Sequence, residues 1–197
     1  YILHINGRHR QLMRSAMAVA KEVGTIISLD GGAQRYDEDM KPITEASHIV
    51  IVARDYAEKY TGTTNLEDAC RIIHERGAFI AGVTDGANGS YFVWPDGTSY
   101  RCEPFSQANV VDTTGAGDSF HGAFLYMLTK TLCKIADGTN TSTMNETSQS
   151  LNAIDLLHSC AHEDLEKAAT FASAVAALNT QGIGGRSPLP SLEDIKA

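Results

Sequence analysis

Val110-Val111-Asp112-Thr113-Thr114-Gly115-Ala116-Gly117-Asp118-Ser119-Phe120 joins a short apolar run to a helical pattern that continues through His121-Gly122-Ala123-Phe124-Leu125-Tyr126-Met127-Leu128. Gly115 and Gly117 lack Cβ atoms, so the chain can turn tightly there and a ligand can approach the backbone. The first amides of the helix that follows have no partner within it. Together with the helix dipole they form a site for an anion such as phosphate. Asp118 puts a carboxylate beside whatever those amides hold. A glycine turn, a helix start and one acid point to phosphoryl transfer with a built-in base.

The stretch is not a phosphate loop of the Gly-Lys-Ser/Thr kind, because no such triplet follows it. It is not a dinucleotide fingerprint either, since Phe120 occupies the third glycine position. A second glycine loop, Thr84-Asp85-Gly86-Ala87-Asn88-Gly89, follows a predicted strand. In open α/β sheets ligands sit outside the C-terminal ends of strands. Alone, this loop reads as a strand-to-hairpin turn; beside the first, it reads as the nucleotide side of one site.

Outward from these loops, strands and helices alternate. Strands are expected at 1–5, Thr25–Leu29, His48–Val52 and Phe79–Val83, and helices at Arg8–Val23, Tyr56–Tyr60 and from the Asn65 cap to about Arg76. Residues 33–47 read as loop plus a short helix. Alternation of this kind implies βαβ units and a mostly parallel sheet. Ser90–Trp94 and Thr98–Cys102 flank Pro95-Asp96-Gly97, a turn signal, so an antiparallel hairpin should extend the sheet edge. A helix over Gly115–Cys133 and an alanine-rich helix over Glu163–Leu178 follow, with a short turn at Leu192–Ile195. The Thr/Ser/Asn-rich stretch from Asp137, extending to about 158, reads as a flexible surface insertion. The expected fold is a three-layer αβα sandwich in one domain spanning 1–197.

Composition narrows the function classes. A length of 197 residues suits one domain, with 43% hydrophobic and 20% charged residues. The net charge of −8 argues against a nucleic-acid surface. No apolar run is long enough to span a bilayer, and no secretory signal pattern is present, so the expected location is cytoplasmic. Cys70, Cys102, Cys133 and Cys160 form no C-x-x-C pair and read as reduced thiols. His158, Cys160, His162 and Glu163 read as a polar helix start rather than a metal cluster, because their spacing does not share one helix face. Trp94 reads as a hairpin packing residue. The Asn-x-Ser/Thr sequons at Asn88, Asn140 and Asn145 read as chance matches.

Asp112 through Phe120 is similar to the C-terminal signature of the ribokinase-like carbohydrate kinases, also called the phosphofructokinase B family. The Thr84–Gly89 turn resembles that family's nucleotide loop, and His4-Ile5-Asn6-Gly7-Arg8 resembles a strand end of its ketohexokinase and fructokinase branch. The resemblance implies that Asp118 is the general base that deprotonates a sugar hydroxyl as it attacks the γ-phosphate of ATP. It implies an anion hole made of the Gly115, Ala116 and Gly117 amides. Thr84, Asp85, Gly86 and Gly89 would line the nucleotide, with Phe171 near the adenine. Mg²⁺ would accompany ATP. A monovalent cation such as K⁺ would sit beside the turn, with Asp112, Thr114, Ala177, Thr180 and Gly182 as candidates. The acceptor would be a small sugar, a ketohexose such as fructose being favoured, and the full-length protein could form a homodimer.

Two departures accompany the resemblance. Where the family carries Asn-x-x-Glu, whose Glu helps organise Mg²⁺, this chain has Ala53-Arg54-Asp55-Tyr56; Asp55 and Glu58 are the available substitutes. The family's N-terminal portion, with its sugar-gripping residues and lid, has no counterpart in the 197 residues, so an unpaired sheet edge is expected. A nucleoside kinase of the same family and a non-catalytic nucleotide-binding module remain as alternatives.

Overall fold

The computed structural model describes residues 1–105, 109–141, 152–186 and 189–195. Its centre is one six-stranded sheet in sequence order: β1 (Ile2–Ile5), β2 (Ile26–Gly31), β3 (Ile49–Ala53), β4 (Ile80–Thr84), β5 (Ser90–Val93) and β6 (Ser99–Cys102). β1 to β4 are parallel, and β5 and β6 add an antiparallel hairpin. β1 is an edge strand, its second side unpaired by any strand among the described residues.

Side chains alternate across the sheet and feed two cores. Ile27, Leu29, Val50, Val52, Ala81 and Val83 face one way. They meet α1 (Arg10–Glu22), α2 (Lys41–Glu45), α3 (Arg54–Thr61) and α4 (Leu66–Glu75). Met13, Met17 and Ala20 are the buried stripe of α1, at helical spacing. Ile26, Ile49, Ile51, Ile80 and Phe92 face the other way, toward α5 (Ala116–Thr141), α6 (Ala153–His158) and α7 (His162–Asn179). Ala168, Ala169 and Ala172 let α7 approach α5 closely, and Phe92 stacks against Phe124 at 5.8 Å between ring centroids. The result is the expected three-layer αβα sandwich. Trp94 is buried in it, stacked on Phe92 and Tyr100.

The structure corrects several boundaries. β2 runs on through Asp30 and Gly31, which pair with Ile51 and Val52 rather than turning away. α3 begins at Arg54. The predicted insertion is structured at both ends. α5 continues to Thr141. α6 starts at a capping box, in which Asn152 accepts from the Ile154 and Asp155 amides and Asp155 reaches back. Leu156 and Leu157 of α6 are buried, so that segment belongs to the core. The remainder of the predicted insertion, 142–151, lies outside the described residues. The residues considered as a metal cluster go separate ways: His158 packs edge-on against Phe79, and His162 pairs with Asp96 at 3.0 Å. All four cysteines are free, and no helix among the described residues is long and apolar enough to cross a membrane.

Candidate active site

The start of α5 is held by α7 and the chain that follows it. The amides of Val111 and Asp112 both donate to the Thr180 carbonyl, at 2.7 and 3.1 Å. The Asp112 carboxylate accepts from the Gly184 and Thr114 amides, each at 2.9 Å. Those bonds, Gly184 first, hold its pKa below the usual carboxylate value. Asn179 Nδ2 donates to the Thr114 carbonyl at 3.3 Å. Gly115 takes φ +78°, and a Cβ there would stand 2.5 Å from the Gly185 Cα. Only glycine suits both that conformation and that contact.

The turn has two kinds of amide. Ala116 donates to the Thr113 carbonyl at 3.2 Å, so its amide is already committed, contrary to the expected anion hole. The Gly115, Gly117 and Asp118 amides have no acceptor among the described residues. They remain as donors for an anion at the helix start. Asp118 is exposed and makes no ion pair or side-chain hydrogen bond there.

Two cavities open on either side of this turn. The larger, about 990 Å³, is lined by Thr114, Gly115 and Asp118, with Tyr126, Phe171 and Arg186 among its walls. The smaller, about 470 Å³, is lined by Ala116 and Gly117 together with Thr84, Gly86 and Gly89, with Ser173 on its α7 wall. Residues from the two glycine loops, far apart in sequence, therefore share the smaller cavity. Phe171 does not line it; its ring stands 6.2 Å from that of Tyr126 in the larger one. Its helical spacing from Ser173 explains the shift, since residues two apart on a helix face different directions.

The second loop is a compact turn. Asp85 and Gly89 bond through their backbones at 2.9 Å, and the Gly89 amide donates to Gly86 at 3.1 Å. Gly89 has φ +86°, and a Cβ there would collide with the Cys102 carbonyl on the neighbouring strand. The Asp85 carboxylate does not line the cavity. It accepts from Arg54 and Asn88, each at 3.0 Å. Arg54 also donates to Glu58 at 2.8 Å, and Asp55 accepts from the Gln34 amide at 2.6 Å. Both acids considered as substitutes for the missing Glu are therefore engaged. Tyr56 is fully buried and shares a hydrogen bond with Thr44 at 2.7 Å; burial pushes its pKa up to about 12.

Of the cation candidates, Asp112, Thr114 and Thr180 meet around the turn. Ala177 adjoins Thr180, its carbonyl accepting the Thr180 hydroxyl and amide, and both residues line the smaller cavity. Gly182 lies beyond α7, ahead of the Gly184 amide that bonds Asp112.

Sequence reasoning missed a polar group beneath the turn. Asp30, at the end of β2, lies 3.2 Å from His121 Nε2 on α5 and 3.2 Å from Arg35. Asp30 and His121 are both buried. Arg35 also donates to the Asn6 carbonyl at 3.1 Å. Burial opposes the charge on Asp30, but the His121 hydrogen bond and the neighbouring cations outweigh it, and the pKa lies below the usual value. An acid at a strand end and a histidine one helical turn after Asp118 were the available signals.

Two glycine loops meet at the C-terminal edge of an open α/β sheet, the place where ligands of such sheets bind and where free helix-start amides can receive an anion. The chain belongs to the pfkB family of carbohydrate kinases, whose pattern it matches over residues 3–192. It is 23% identical to a 5-dehydro-2-deoxygluconokinase of Shouchella clausii, an alignment covering 95% of this chain and 51% of that protein. It is 31% identical to a cytidine kinase of Thermococcus kodakarensis over 44% of this chain and 31% of that one. The fold is similar to a Vibrio cholerae fructokinase double mutant solved with fructose, ADP and potassium, with a TM-score of 0.74 and 21% identity. That match covers 99% of this chain and 59% of the fructokinase. A Salmonella enterica aminoimidazole riboside kinase, solved with its riboside and an ATP analogue, gives a TM-score of 0.71 at 19% identity, covering 99% of this chain and 61% of that one. The chain spans about half the length of the first of these relatives, 51%.

Proposed function

We propose that this chain is the nucleotide-binding and base-bearing part of an ATP-dependent kinase that phosphorylates a hydroxyl of a small sugar. The observation that carries this reading is the split at one turn: Gly117 lines the smaller cavity with Thr84, Gly86 and Gly89, while Asp118 lines the larger. A nucleotide in the smaller cavity brings its terminal phosphate to the free amides of the turn. A hydroxyl in the larger cavity meets Asp118, which takes its proton as the oxygen attacks. The amides stabilise charge on the transferring phosphoryl group, and that stabilisation with positioning is what phosphoryl transfer requires.

Ser173, Ala176 and Ala177, rather than Phe171, are the α7 residues that line the smaller cavity and would border a nucleotide there. A monovalent cation such as K⁺ fits beside the turn, where Asp112 and the Thr114 and Thr180 carbonyls converge. Asn179 Oδ1, buried there without a partner, favours a cation nearby. When bound, it would strengthen the positive field at the anion site. A protein-held Mg²⁺ does not fit the smaller cavity, because among the described residues no carboxylate lines it.

A ketohexose such as fructose is the favoured acceptor. A nucleoside acceptor is the second reading, favoured by the likeness to a cytidine kinase and an aminoimidazole riboside kinase. Coupled ADP release by the full-length protein, measured on fructose, ribose, cytidine and adenosine, tests both. Turnover highest on fructose is expected. Turnover highest on a nucleoside would select the second reading, and none on any hydroxyl acceptor would leave a nucleotide-binding module.

A further inference from the structure

We propose that Arg54 is a binding residue for the nucleotide's phosphate tail, its guanidinium taking the role of countercharge at a site whose walls carry none. The inference rests on the nucleotide reading of the smaller cavity. Among the described residues, that cavity is lined by glycine, alanine, hydroxyl and apolar residues without a single charged side chain. Amides alone would face a polyphosphate of several negative charges, so a cation at the rim has a clear task.

The sheet puts Arg54 at that rim. Ala53 and Thr84 are register partners on the parallel strands β3 and β4. The next residues, Arg54 and Asp85, therefore leave the sheet side by side at its C-terminal edge, where ligands bind. Asp85 stands between Thr84 and Gly86, both of which line the cavity, and Arg54 Nη1 meets its carboxylate at 3.0 Å. The Arg54 side chain is 47% exposed. Its bonds to Asp85 and Glu58 use only part of a five-donor fork. A phosphate oxygen can thus join Asp85 on the exposed side of the fork, and the mostly buried Asp85 carboxylate keeps its partner. Asp85 holds the guanidinium at the loop. Its neighbours on this strand end do not offer a cation, since Asp55 is an acid bonded to the Gln34 amide and Tyr56 is buried. The planar fork suits phosphate, and lysine would supply charge with less of the geometry.

Calorimetric titration of the full-length protein with ATP and with adenosine tests this for wild type, Arg54→Ala and Arg54→Lys. Arg54→Ala should weaken ATP about tenfold or more, the scale of one charge-assisted contact, and leave adenosine within about twofold. Arg54→Lys should recover part of the ATP affinity. Equal ATP affinity in wild type and Arg54→Ala would overturn the assignment. So would equal losses for ATP and adenosine, which would make the arginine a strut for the Thr84–Gly89 loop. A wild-type protein that binds neither ligand would instead overturn the nucleotide reading on which the inference rests.

Discussion

Asp118 and Asp30 are both carboxylates beside the start of α5, and the fold treats them in opposite ways. Asp118 is exposed and makes no ion pair or side-chain hydrogen bond among the described residues. Asp30 is buried and tied to His121 and Arg35. An acid proposed to take up a proton and release it gains from being left free. An acid that joins a strand to a helix gains from being fixed, because a buried charge without partners is costly. His121 carries the connection: it lies one turn after Asp118 on the same helix, so the fixed acid holds the helix that presents the free one.

The comparison breaks first at His121. Replacing it with alanine leaves Asp30 buried with Arg35 alone, which should cost roughly 3 kcal/mol of stability, the scale of removing one partner from a buried pair. Denaturant unfolding of the full-length protein checks this, and Asp118→Asn should move the midpoint hardly at all in the same experiment. Acidification comes next. The pKa of Asp30 is lowered by folding, so its contribution to stability is present above the ordinary carboxylate range and lost as pH falls through the lower folded value. Unfolding midpoints between neutral pH and pH 3 should show that loss in wild type and a shallower one in Asp30→Asn. The smallest effect belongs to Asp112, which lies between the two extremes, tied to two amides yet solvent-facing. Asp112→Asn should lower the thermal midpoint by less than Asp30→Asn does; a larger shift would move the structural anchor of the turn from β2 to Asp112.

What was legible in the sequence follows the same division. The β/α alternation, the 95–97 hairpin turn and the two glycine loops are written in contiguous residues, and local chemistry suffices to read them. Gly115 and Gly89 could be picked out because each is needed for a local backbone shape. The Asp30–His121 contact joins residues far apart in sequence, and only the packing of α5 over β2 brings them together. Asp30-Gly31-Gly32 resembles a turn by composition, yet parallel pairing with β3 extends the strand through Gly31. Phe171 lines the larger cavity rather than the one shared by the two glycine loops, a placement set by the rotation of α7 about its axis, which an alanine-rich sequence leaves undefined. The committed Ala116 amide was invisible for a related reason: the glycine pattern marks a turn without saying which of its amides closes it.

One turn is proposed to serve a nucleotide on one side and a base on the other. The most direct test is Asp118→Asn in the full-length protein, with turnover and ATP affinity measured on the same preparation. Turnover should fall by at least about 10³-fold, since the proposed base is lost, with ATP affinity within about twofold of wild type. Retained turnover, or a loss of ATP binding that matches the loss of turnover, would contradict the proposal.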